Sequence, residues 1–159
     1  MYQENLERMI KLADEFFETK NDPEQISVSE ETMEQLRRID PATMSEVSTD
    51  KGPVAWVLVI PTTHALMDAF VSKQITEREL LAQTPVGGTY DAVYLCSALV
   101  LPESRGKGLA KRLAIDAVKS ITARHPVRHL FYWGFSREGE YLASAIAHAL
   151  ELPLSKRPD

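Results

Sequence analysis

Seven consecutive residues, Val54, Ala55, Trp56, Val57, Leu58, Val59 and Ile60, are all apolar. A strand with one wet face would alternate polar and apolar residues, so this unbroken run predicts a strand buried on both faces. Such a strand demands cover on both sides of its sheet. The chain has 159 residues, enough for one domain over 1–159 with a single core. Hydrophobic residues make up 44% and charged residues 26%, which excludes bulk disorder. The longest apolar stretches, such as 92–101, are about half of what a membrane span needs, so no membrane segment is expected. The opening Met-Tyr-Gln-Glu-Asn has no basic n-region or apolar h-region, and no secretory signal is read there. A single cysteine, Cys96, can form no internal disulfide, which fits a reducing, cytoplasmic setting.

The patterning around that strand is mixed. Leu6, Met9, Ile10, Ala13, Phe16 and Phe17 recur at helical spacing and predict a helix over 3–19, ended by Asn21-Asp22-Pro23. A second helix over 30–39 buries Met33, Leu36 and Ile39, with Ser27 and Glu30 offered as a capping box. Thr49-Asp50-Lys51-Gly52 predicts a hairpin turn between strands over 45–48 and 54–61. Short helices over 64–73 and 77–83 follow, the latter capped by Thr76, and then a loop at Pro85-Val86-Gly87-Gly88. Next come a strand over 93–101, a helix over 105–124 buried through Leu109, Leu113, Ala117 and Ile121, and a strand over 127–135. The last helix spans 137–150, with Leu142, Ala145, Ile146 and Ala149 facing inward. The tail 153–159 is either a short strand or loose. The order implies a mixed α/β fold: a three-layer α-β-α sandwich around a mostly antiparallel mixed sheet.

Charge narrows the partners. Net charge is −5, but residues 1–50 carry 13 acids and 5 bases, whereas 51–159 carry 10 acids and 13 bases. An acidic chain lacks the broad basic surface that nucleic-acid binding requires. The basic surplus of the second part is available to a local anion site. Its best placement is Leu99-Val100-Leu101-Pro102-Glu103-Ser104-Arg105-Gly106-Lys107-Gly108-Leu109-Ala110, where a strand ends at a proline and a glycine-bearing basic segment opens a helix. The first helical turn presents unpartnered N–H groups and a partial positive charge. Gly106 and Gly108 let a ligand approach the backbone, and Arg105 and Lys107 add charge, an arrangement suited to phosphate or pyrophosphate. The alternative is a helix start whose glycines serve packing and whose bases are solvated. No G-x-x-x-x-G-K-[ST] pattern is present, and a dinucleotide G-x-G-x-x-G fails at its third glycine, where Lys111 stands.

The segment resembles the coenzyme A motif of the GNAT (Gcn5-related N-acetyltransferase) superfamily: an Arg or Gln, two residues, a Gly, one residue, then a Gly or Ala. Arg105, Gly108 and Ala110 fill it. The likeness covers residues 93–150 well and the first half weakly, where the two short helices over 64–83 interrupt the usual strand-to-strand turn. It implies a GNAT-like fold binding acetyl-CoA or another acyl-CoA. The strands over 93–101 and 127–135 would splay at their C-terminal ends. The pantetheine arm would lie in that cleft against Leu99, Val100 and Leu101, and the pyrophosphate on Gly106, Lys107, Gly108, Leu109 and Ala110, with Arg105 beside it. An amine would attack the thioester directly, so that catalysis is positioning, carbonyl polarisation and proton transfer.

The chain departs from the family at the acid and base. The strand position that often holds a Glu, four residues before Val100, is Cys96, followed by Ser97. The helix position that often holds a Tyr is Ala147, with Tyr141 two turns earlier. The usual Asn is also missing, Ser136 and Glu140 being the nearest polar substitutes. Weak candidates for chemistry are therefore Cys96, Glu103 and Tyr141, with Asp91 or a water relay as further routes. On its own Cys96 reads better as a small buried hydrophobe, and no Cys-His-Asn signature accompanies it. His64, His125, His129 and His148 show no metal spacing. Tyr132 and Trp133 read as core or as pocket lining, and Trp56 receives no role. The acidic first helices read as a solvated face, or as a cation-attracting rim for an amine.

The expectation is an acyl-CoA-dependent N-acyltransferase acting on a small-molecule or peptide amine, with no nucleic acid, membrane or metal. The alternative is a non-catalytic acyl-CoA-binding sensor or partner module of the same fold. A homodimer is left open.

Overall fold

The computed structural model describes residues 4–20, 30–134 and 136–158, with side chains for all of these except 16–20 and 30. Helix α1 (Glu4–Lys20) and helix α2 (Glu30–Ile39) lead into strand β1 (Met44–Thr49). Strand β2 (Gly52–Thr62) returns antiparallel to β1 through a turn at Asp50 and Lys51. Two short helices follow, α3 (His64–Val71) and α4 (Glu77–Gln83). Strand β3 (Ala92–Val100) leads through a 3-10 turn at Pro102–Ser104 into helix α5 (Leu109–Arg124). Strand β4 (His129–Trp133), helix α6 (Arg137–Leu150) and strand β5 (Leu154–Arg157) complete the order.

The sheet runs β1-β2-β3-β4-β5. β2 is antiparallel to both β1 and β3, and these are the longer pairings. β3/β4 and β4/β5 are parallel, each joined by a helical crossover, α5 or α6. The unbroken apolar run is explained by this arrangement. Leu58 and Ile60 of β2 pack with Leu36 and Ile39 of α2, Met67 and Phe70 of α3, and Leu80 and Leu81 of α4. Val57 and Val59 face the other way, onto Ala114, Ala117, Val118 and Ile121 of α5 and Ile146 of α6. Helices therefore cover both faces, and a central strand between them has no wet side.

Boundaries moved where local chemistry overrides periodicity. The helix expected from 105 begins at Leu109, because Gly106 and Gly108 have φ of +80° and +73°, outside the right-handed helical region. The strand expected over 127–135 is only His129–Trp133: Val127 N–H turns back to His125 O, and Phe135 lies outside the described residues. The Ser27–Glu30 capping box and the Asn21-Asp22-Pro23 stop also lie outside them. The tail forms a strand, and Thr76 caps α4 in a reciprocal box with Glu79.

The stripe of α1 is rotated from the expected one. Met9 is fully buried, with Leu12 and Ala13 packed beside it against Val54, Leu99 and Leu101, but Leu6 and Ile10 are exposed. On α6, Ala143, Ile146 and Ala147 are the buried residues, whereas Ala149 is exposed. Alanines carry too little apolar surface for spacing alone to choose the face of a helix.

Candidate functional site

Parallel pairing of β3 with β4 begins at Ala92↔His129 and ends at Leu95↔Tyr132. Beyond it β4 pairs on with β5, as far as Trp133↔Arg157, while β3 continues along β2 alone. The two strands thus part at their C-terminal ends. At the same point β3 carries a bulge: Val59 faces Leu95 but Leu58 faces Ser97, so Cys96 is the extra residue. The gap is a cleft of about 200 Å³, lined among others by Leu95, Cys96, Ser97 and Ala98 of β3, Tyr132 and Trp133 of β4, and Gly139, Leu142 and Ala143 of α6. On the opposite face a larger cavity of about 960 Å³ lies between α1, α2 and the sheet, lined by Ile10, Ala13, Asp14, Met33, Glu34, Arg37, Glu46, Trp56, Ser97 and Leu99 among others. The exposed Ile10 and the unassigned Trp56 therefore belong to a cavity wall, and the Trp56 indole N–H donates to Glu46 at 2.7 Å.

The free edge of β3 refines the expected contacts. Leu101 N–H donates to Val54 O at 2.9 Å, so by antiparallel alternation Leu99 and Leu101 spend their backbone groups on β2. Ala98 and Val100 turn theirs toward the gap. Of the three residues expected to meet a pantetheine arm, only Val100 presents its backbone there, and Arg105 Nε donates to Val100 O at 3.0 Å. The Leu99 side chain faces the larger cavity. That Ala98 also presents its backbone to the gap is not legible in apolar patterning, because a bulge shifts register by one residue and leaves no mark there.

At the head of α5, Arg112 N–H is the first to find a partner, Gly108 O at 3.0 Å. Among the described residues the N–H groups of Gly106, Lys107, Gly108, Leu109, Ala110 and Lys111 have no backbone acceptor. A Cβ added at Gly106 or Gly108 would meet no atom within 4 Å. The glycines are therefore not there for internal packing. They provide positive φ and an open surface over the N–H groups, with exposed Arg105 and Lys107 beside it. These residues fit a phosphorylated group in both geometry and charge.

The candidates for acid and base fare differently. Glu103 is held by Arg8 through two contacts, at 2.5 and 2.7 Å, and this pairing lowers its pKa to about 2, which makes it a feeble base at neutral pH. Tyr141 is 79% exposed and does not line the cleft. Asp91 caps the backbone N–H of His64 at 2.7 Å, where β3 begins, and Glu140 is paired with Lys156. Ala147 is buried and Ser136 Oγ accepts from Gly139 N–H at 3.0 Å as the cap of α6.

Cys96 is 8% exposed, and its Sγ lies 3.9 Å from Glu77 Oε2. Glu77 was overlooked as one more charge on a short helix. It is fully buried and accepts the phenolic hydrogen bond of Tyr94, whose pKa burial raises well above the usual tyrosine value. The Arg157 guanidinium lies 4.4 Å from the Phe70 ring and 4.8 Å from the Trp133 ring, and donates to Ile75 O at 2.7 Å. The inserted helices thus bring a polar cluster beneath the place where the cleft strands part. Among the described residues no group of three His, Cys, Asp or Glu is placed to hold a metal ion, and no helix is long and apolar enough to cross a membrane.

Because Cys96 borders the cleft yet is nearly enclosed, bound acetyl-CoA is expected to slow its labelling by a thiol reagent. Cys96→Ser is expected to keep turnover, since direct attack needs no enzyme nucleophile. Labelling equally slow with and without ligand would place the thiol wholly in the core.

A mixed sheet whose parallel strands part beside a glycine-marked helix start defines the class of architecture that the resemblance to the GNAT superfamily implied. No family model and no curated protein sequence matches the chain. The solved structures similar to it include acetyltransferases of that superfamily. A ribosomal-protein-alanine N-acetyltransferase from Brucella melitensis biovar Abortus 2308 is 19% identical, with TM-score 0.41, over 64% of this chain and 57% of that one. Chaetomium thermophilum Naa20, in complex with a bisubstrate analogue, is 14% identical, with TM-score 0.44, over 78% and 55%. The aminoglycoside N-acetyltransferase AAC(6')-Iy, in complex with CoA, is 16% identical, with TM-score 0.47, over 94% and 86%. The match thus spans little more than half the length of the first two.

Proposed function

We propose that the protein is an acyl-CoA-dependent N-acyltransferase, with acetyl-CoA the simplest donor, acting on a small-molecule or peptide amine. One observation carries this reading: the cleft between the parted strands and the cavity under α1 and α2 lie on opposite faces of the sheet, yet both reach the bulge of β3. A donor entering from the α5 side and an amine entering from the α1–α2 side would meet there, without any covalent relay through the protein. The N–H groups from Gly106 to Lys111 would hold the pyrophosphate, the free edge at Ala98 and Val100 would pair with the pantetheine amides, and the donor itself supplies the activated acyl group. In the amine-side wall Glu34 is paired with Arg37 at 3.3 Å, and Asp14 and Glu46 leave a negative balance that favours a positively charged acceptor over an anionic one.

A second reading, an acyl-CoA-binding module without turnover, is favoured by the burial of Cys96 and Ala147 where the family often has its Glu and Tyr. Calorimetry with acetyl-CoA tests both readings, and thiol release with a panel of primary amines separates them. Because Cys96 stands where the family often has its strand carboxylate, kcat/KM at saturating acetyl-CoA is expected to follow the amine's own ionisation, unless Glu138 of the cleft wall takes the proton. It should reach a plateau near neutral pH for an aryl or α-amino acceptor, and for an alkyl amine stay weak and climb into alkaline pH. A neutral plateau with a strongly basic alkyl amine would show that a base takes the proton.

A further inference from the structure

The cleft and the amine-side cavity have three lining residues in common, Val57, Leu58 and Ser97. Two are apolar, so Ser97 is the one polar side chain at the junction. It follows the bulged Cys96 and stands opposite Leu58, and its side chain is part-exposed rather than locked in the core. Among the described residues its hydroxyl has no hydrogen-bond partner. The other serine hydroxyl lining the cleft, that of Ser136, is engaged as the cap of α6, accepting from Gly139 N–H at 3.0 Å. A serine hydroxyl donates one proton and accepts others through the same atom. That capacity lets one group at the meeting point of the two cavities serve both the attacking nitrogen and the departing sulfur.

We propose that Ser97 is the catalytic proton-transfer residue of the acyl transfer, an inference that rests on the N-acyltransferase reading above. The neutral amine nitrogen forms a bond to the acyl carbon as the carbon–sulfur bond breaks. The proton shed by that nitrogen passes to Ser97 Oγ, and the proton Ser97 already carries passes to the departing sulfur. The products are an amide and a free thiol, and the hydroxyl is regenerated with no other reactant. Passing both protons through one oxygen avoids leaving a serine alkoxide or a bare thiolate in a poorly hydrated cleft. The other proton-bearing groups of the cleft, Tyr132 and Glu138, do not reach the amine-side cavity; Cys96 Sγ contacts Glu77 at 3.9 Å, and Tyr141 lines neither cavity.

The experiment compares Ser97→Ala and Ser97→Thr with the wild type by thiol release from acetyl-CoA, on whichever of an α-amino peptide, an alkyl diamine or an arylamine turns over best. Ser97→Ala is expected to lose about a hundredfold in kcat, the low end of what a positioned proton-transfer group supplies. Its KM for acetyl-CoA, its calorimetric affinity and its circular dichroism should be unchanged. Ser97→Thr, which keeps the hydroxyl, should recover most of the rate, and the solvent deuterium effect on kcat should persist in Thr and shrink in Ala. Wild-type kcat in Ser97→Ala, equal loss in Ala and Thr, or a parallel loss of acetyl-CoA binding would overturn the assignment of Ser97 alone. Failure of the wild type to release thiol with every amine while still binding acetyl-CoA would overturn the transferase reading, and this inference with it.

Discussion

Valine at position 108 is expected to abolish measurable acetyl-CoA binding, a loss of at least about a thousandfold. Two effects combine. Gly108 sits at φ +73°, where a β-branched residue is strained by about 1–2 kcal/mol or more, so the first turn of α5 would be distorted. A side chain there would also stand over the N–H groups from Gly106 to Lys111 that make the proposed cradle. Gly108→Asn separates the two effects, because asparagine tolerates the left-handed conformation. Its thermal stability should stay near that of the wild type while affinity, measured by calorimetry, falls at least about tenfold, roughly the value of one lost charge-assisted hydrogen bond. If both variants bound acetyl-CoA as the wild type does, the cradle would not be where the ligand's phosphates lie.

Glu77→Ala is expected to cost about 3 kcal/mol of stability. The substitution removes the acceptor of the buried Tyr94 hydroxyl and opens a cavity among Tyr94, Cys96 and the α4 helix. For a chain of this size that corresponds to a fall of about 10 °C in Tm. Glu77→Gln keeps an acceptor for Tyr94 and should lose less than half as much. Tyr94→Phe leaves the carboxylate short of one donor, and the double variant Glu77→Ala/Tyr94→Phe should cost less than the sum of the single changes, as for any directly bonded pair. The measurement is thermal unfolding followed by circular dichroism. A Glu77→Ala protein melting within 2 °C of the wild type, with roughly no more effect than an exposed substitution, would mean that the carboxylate is not enclosed as the structure has it.

Much of the framework was legible beforehand because the relevant signals are local. Thr76 with Glu79 three residues on is a cap that a helix start satisfies within one turn, and α4 begins there. Pro102 followed by two spaced glycines marks a break between strand and helix, and β3 and α5 lie on either side of it. Met33, Leu36 and Ile39 have enough apolar surface to choose a face, and they pack against the core as their spacing implies. Where residues are small or the register can slip, the pattern was silent. Ala149 and Ile10 turned outward, and the bulge at Cys96 exchanged Ala98 for Leu99 along the free edge of β3.

The sequence by itself determined a mixed α/β domain, the glycine-marked head of α5 and the absence of a carboxylate four residues before Val100. Each follows from neighbours along the chain, through periodicity, backbone freedom at glycine or residue identity. Only the tertiary structure decided which residues share a site. Ser97 reaches two cavities because a strand bulge falls where β4 departs, and Glu77 lies beneath Cys96 because two inserted helices fold back over the sheet. Glu103 loses its chemical promise to Arg8, 95 positions away. Contacts of that kind depend on packing between distant segments, and the free energy that selects them is spread over the whole core rather than written in any short stretch of chain.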